Sequence, residues 1–262
     1  WALIEVDGKK ILNANDCILE TPDRVQDIKN ITDTVDILFT QFSYANWVEG
    51  GVSDSSSRAS LANEKLERIR MQADVLKPSS IVPFASMVRF CHTENSYMND
   101  EINTPKQTVN FIESNTRSKA FLMVPYENWN GESSKNNQPA VQFWEKAYEN
   151  ALKRPLIEQK KSCNVIEIKL AFNEMRSRVN KQNNKILIYL LDTFGLLPNQ
   201  IIKITDLDCF VNFGWWKSLD IFNSESKHQC VEMISESLYF LFKFDFGIDK
   251  INVNSRFKGS LA

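Results

Sequence analysis

Residues 35–84, VDILFTQFSYANWVEGGVSDSSSRASLANEKLERIRMQADVLKPSSIVPF, decide the fold. Val35 to Thr40 is a short apolar run, the pattern of a buried strand in a parallel sheet. After a Gly/Ser-rich loop at Gly50 to Ser57, residues 58–76 predict a helix. Leu61, Leu66, Ile69 and Ala73 fall on one stripe, with Glu64, Lys65, Glu67 and Arg68 outside it. Pro78 stops that helix, and Ser80 to Phe84 reads as the next strand. Strand, helical crossover and strand make a βαβ unit, so a parallel sheet is expected.

Upstream, Trp1 to Asn15 reads as a β-hairpin, with Asp7-Gly8 as its turn because glycine takes positive φ without strain. Thr21-Pro22-Asp23 predicts the start of a short helix. Downstream, helices are predicted at about 105–114, 140–154 and 166–179. An apolar segment spans 120–124, and the polar loop with Gly131, Ser133, Ser134, Asn136 and Asn137 is the candidate linker. The runs KILIYLL (185–191), QIIKITD (200–206) and CFVNF (209–213) read as strands. Ser235-Glu236-Ser237 opens a short apolar helix, and KINVNSRF (250–257) reads as a last strand. These patterns give an α/β domain over 1–135 and an α+β domain over 136–262.

Composition bounds the function. The chain has 262 residues, 43% of them apolar, with 31 Lys and Arg against 33 Asp and Glu, a net charge of −2. That suits a globular protein with a real core and gives no long-range attraction for nucleic acid or anionic membrane. The apolar runs fall far short of the roughly 20 residues that span a bilayer, so no membrane span is expected. Only His92 and His228 are present, so one copy cannot build a site with three histidine ligands. The five scattered cysteines, without a C-x-x-C pair, point to a reducing cytoplasm rather than a disulfide framework. The chain opens at Trp1 directly into a strand, without a signal-peptide pattern, and upstream sequence is expected.

Three segments carry candidate chemistry. The first is Asn13-Ala14-Asn15-Asp16-Cys17, an acid at a strand end flanked by amides; it suits a metal ligand or base, or an Asx turn. The second follows Thr40, where Gln41, Ser43, Asn46 and Trp47, with Tyr44, suit a substrate-lining wall or ordinary loop packing. The third gathers His92, Glu94, Asn95, Asn99 and Asp100 after a strand end. Imidazole and carboxylates there suit a divalent metal or a general base, or a structural histidine. Trp215-Trp216 with Phe210, Phe213 and Phe222 suits either a ligand-facing aromatic patch or core packing, and His228 sits in a polar turn.

The order hairpin, ILNANDC (11–17), short helix, VDILFTQFSYANW (35–47), long helix and LKPSSIVPFASMVRF (76–90) resembles the metallo-β-lactamase fold. It is similar to the divergent branch that includes the CMP-N-acetylneuraminate hydroxylases and bacterial metallo-hydrolase-like proteins. The likeness spans about residues 1–105, the C-terminal half of an αββα sandwich. It implies that Asp16 bridges two metals. Phe84-Ala85-Ser86 stands where the family places a closing histidine, and His92 is the candidate substitute. The family's H-x-H-x-D-H segment has no counterpart in these 262 residues. The resemblance therefore implies, as partner, an N-terminal half of the fold in the same polypeptide or a separate chain. More weakly, residues 231–257 resemble accessory domains, some of them sterol-carrier-like.

The resemblance implies a metal-dependent hydrolase-like or oxygenase-like enzyme acting on a small-molecule substrate. Its zinc, iron or manganese, in a dinuclear site, would be held by Asp16 and His92. His92 and Glu94 would be catalytic, with Gln41, Ser43, Asn46, Trp47 and Asn95 lining the substrate cleft. The rival expectation is a binding or scaffold protein that keeps the fold without metals. A third places an apolar ligand on the aromatic patch at 210–222.

Overall fold

The computed structural model describes residues 1–46, 54–129, 135–158, 162–197, 200–214, 219–223 and 231–259. The fold is mixed α/β, with the chain divided into two units, each around its own sheet. Most of 1–155 forms the first unit; 46–54, 90–98 and 156–262 form the second.

In the first unit, β1 (Ala2–Val6) and β2 (Lys9–Asn13) pair antiparallel about Asp7 and Gly8, whose φ angles of 47° and 73° are those of a type I′ turn. Helix α1 (Pro22–Thr32), β3 (Ile37–Thr40), α2 (Ser55–Leu76), β4 (Ser80–Pro83), α3 (Pro105–Asn115) and β5 (Lys119–Ala120) continue the winding. The sheet order is β1-β2-β3-β4-β5, parallel from β2 onward. Leu12, Leu38, Ile81 and Ala120 lie in one lateral row and form a core with Val25, Ile28, Ile69, Val109 and Ile112 of the helices. On the other face Ile37, Val82 and Phe121 are buried, with the Trp129 ring tilted 30° against Phe121 at a centroid distance of 4.3 Å.

The predicted domain boundary at 136 falls inside this unit. Asn137 donates to Ala120 O (2.8 Å) and accepts from Leu122 N–H (2.9 Å), fixing the start of α4 (Gln138–Leu152) beside the sheet edge. Ala140 and Val141 then join the same core.

The second unit begins with α5 (Val165–Gln182), whose Asn164 and Glu167 form a reciprocal capping box. Helix α6 (Lys185–Thr193), β6 (Gln200–Ile204), β7 (Cys209–Phe213), β8 (Asp220–Phe222), β9 (Val231–Met233), α7 (Ser235–Lys243) and α8 (Gly247–Asn254) follow. The sheet order is β8-β7-β6-β9, with only the β6–β9 pair parallel. Phe172, Phe213 and Phe242 meet edge to face at 5.2–5.6 Å in its core. Gly247 is required where it stands, because a Cβ would lie 2.4 Å from Leu241 O.

Two expected strands are helices. KILIYLL is α6, opened by Asn184, whose side chain accepts from the N–H groups of Ile186 and Leu187. Most of KINVNSRF is α8, with Ile251 as its buried contact and Ser255 in the left-handed conformation at its end.

Candidate functional site

The C-terminal ends of β2, β3 and β4 lie side by side in the first unit, where open parallel sheets put their ligands. Beyond β2, Asn13 Oδ1 accepts from Asn15 N–H at 3.0 Å, the Asx turn that the amides there allowed. This leaves Asp16 exposed. Gln41, just past β3, donates from Nε2 to Asp16 Oδ1 at 2.9 Å. Asn15 Nδ2 donates to the other carboxylate oxygen at 3.2 Å. Beyond β4, Phe84 packs edge-on against Phe39, with ring centroids 5.3 Å apart.

The neighbouring side chains hold the loop together. Ser86 is buried and accepts from Phe42 N–H at 3.0 Å. Ser43, expected to line a cleft, is also buried, and accepts from Asn103 N–H at 3.0 Å. Asn103 Nδ2 donates to both Phe42 O and Ala62 O. Asp100, one of the candidate acids of the third segment, instead receives Arg58 Nε at 2.7 Å, with Arg58 1% exposed. Burial, and then the charge of Asp100, push the Tyr44 phenol well above its usual range.

His92, Glu94 and Asn95 belong to the second unit. They share one turn: Asn95 accepts from His92 N–H at 2.9 Å and donates to Asn254 O at 2.6 Å. Glu94 is paired with Arg256 at 3.2 Å, and Arg256 also reaches Glu236 at 3.0 Å. Beside this ion pair is a cleft of about 210 Å³, lined by Glu232 and Lys258 and by the buried Met233 and Phe257. Asn46 is exposed in the second unit. Trp47, Trp215, Trp216 and His228 lie outside the described residues, while Phe210 and Phe213 are buried.

Residues that the sequence did not single out as functional complete these networks: Arg58, Asn103, Glu236 and Arg256. Arg58 had a readable signal, because it lies four residues before Ala62 on the buried side of α2. Asn103 and Arg256 had none, since their partners come from distant parts of the chain.

A zinc or dinuclear site needs several imidazole, thiolate or carboxylate donors. At the strand ends Asp16 stands among amides, which are weak ligands for such metals. Among the described residues no three His, Cys, Asp or Glu side chains gather as a metal-binding group. Asp16 brings one carboxylate to these strand ends, fewer donors than either kind of metal site needs. None of the four described cysteines forms a disulfide, and no described helix is long and apolar enough to cross a membrane. No protein-family model, curated protein or solved structure matches the chain.

Proposed function

We propose that the chain is a binding protein for a small polar ligand, keeping a metallo-β-lactamase-like arrangement of strands without resident metal and working in the cytoplasm. The observation that carries this reading is the Asp16 carboxylate, exposed at the strand ends and hydrogen-bonded through both oxygens to the neutral amides of Gln41 and Asn15. A carboxylate ringed by amides offers alternating acceptors and donors, which suits a ligand rich in hydroxyl or amino groups.

A second reading is a metal-dependent hydrolase or oxygenase completed by an N-terminal half of the fold. The position of Asp16 at the strand ends favours it. One experiment separates the two: elemental mass spectrometry of the complete protein, beside Asp16→Ala and His92→Ala. The binding reading expects no stoichiometric metal in any of the three. It also expects saturable thermal stabilisation by a polyol or amino sugar that Gln41→Ala abolishes. About two zinc, iron or manganese ions per chain, lost in both variants, would establish the enzyme instead.

A further inference from the structure

Helix α6 carries an apolar stripe facing away from its own unit. At about 100° per residue, Ile186, Leu187, Leu190 and Phe194 fall within an arc roughly 100° wide, the width of a core-facing stripe. They are 71%, 54%, 42% and 72% exposed. Ile188, on the opposite side, is the buried residue of the helix, at 8%. Leu196, just past the left-handed turn at Gly195, is a further apolar side chain next to the end of the helix, at 69% exposure. A helix apolar on both sides is built to be covered on both sides.

We propose that α6 is a homodimer contact, in which two copies pair antiparallel about a two-fold axis near Leu190. Three features select a second copy as the occupant. The first is self-complementarity: antiparallel pairing about that axis sets Leu187 of one copy against Phe194 of the other, so each stripe fills its own counterpart.

The second is charge. Lys185 is exposed in the first turn of α6, where the positive end of the helix dipole disfavours it, and the last turn has no basic residue. Antiparallel pairing brings each Lys185 ammonium beside the other copy's C-terminal carbonyls, correcting both ends at once. The third is area. The five exposed side chains present on the order of 600 Å² per copy, or 1,200 Å² for the pair, the lower end for a specific association. A lipid surface fits less well, because Lys185 is the only basic residue of α6 and Asp192 shares the helix.

The test is sedimentation velocity of the full chain from about 1 to 200 μM, a range that brackets the affinity of an interface this small. The expected result is a monomer that becomes a dimer with increasing concentration. Leu190→Glu should remain monomeric at the highest concentration, with a melting temperature close to that of wild type measured at about 1 μM, where the wild type is itself monomeric. Lys185→Glu should weaken dimerisation several-fold. A wild-type chain that stays monomeric throughout, or a Leu190→Glu variant that still dimerises, overturns the proposal. Co-sedimentation of a monomeric wild type with phosphatidylserine vesicles, lost in Leu190→Glu, would do the same by showing that lipid covers the stripe.

Discussion

Arg58 takes a full positive charge into the first unit, and Asp100 is the acid that meets it. A buried cation without its counter-charge is among the costliest single defects a fold can carry. Asp100→Ala is expected to cost about 3 kcal/mol, the low end for a broken buried pair because the Asp100 side chain is itself 40% exposed. The double variant Arg58→Met with Asp100→Ala should recover part of that loss, because it removes the buried charge that Asp100 meets. Urea melts of the two variants check this; a double variant no more stable than Asp100→Ala would refute the account. The same pair shows the limit of reading one side chain at a time. Asp100 and His92 are eight residues apart and both look like ligands. What Asp100 meets is set by α2, more than forty positions upstream.

At the scale of elements, sequence is most informative where local chemistry decides. The Asp7-Gly8 turn, the Thr21-Pro22 start and the βαβ winding from β3 through α2 to β4 were all legible, because turn type, capping and apolar periodicity act over a few residues. KILIYLL reads as a strand because an apolar run of that length looks alike in either form, and the Asn184 cap is what starts it as a helix. The start of α4 is held by another local device. Lys135 pairs with Glu127 at 2.5 Å and donates to Leu122 O, while Glu127 also accepts from Val124 N–H. Burial raises the Glu127 pKa, but the bonds from Lys135 and Val124 outweigh it, so the net shift is downward. A carboxyl depressed on folding gives stability that is whole above its unfolded value, near 4.3, and is lost as pH falls through the folded value. Lys135→Met should therefore lose roughly 0.5–1 kcal/mol relative to wild type at pH 7, with the difference shrinking below about pH 4. Chemical denaturation at pH 7 and pH 3 measures it. An equal difference at both pH values would show that Lys135 acts through packing alone.

At the scale of the whole molecule, the mixed α/β class was legible, but the boundary between units was not. The Gly, Ser and Asn content of 131–137 reads as a linker, yet Asn137 bonds into the first sheet and α4 adds to its core. Composition reports where a chain can turn, not which side of the turn it packs against. The candidate site was legible only as strand-end chemistry: Asp16 and Gln41 do meet, while Ser43 and Glu94 are held in packing and ion pairing. Each sheet carries its own core, one around Leu38 and Ile81, the other around Phe172, Leu238 and Phe242. Two separate cores predict two separable unfolding events, since cooperativity follows contiguous packing. Ile81→Ala and Leu238→Ala, both at fully buried positions, should each cost about 2–5 kcal/mol in the unit that carries them. Hydrogen exchange followed by peptide mass spectrometry reads this directly. Ile81→Ala should speed exchange in β2 to β4 and leave β6 and β7 protected, and Leu238→Ala should do the reverse. If either variant loosens both sheets equally, the chain unfolds as one block, and the two cores share a stability that their separate packing does not suggest.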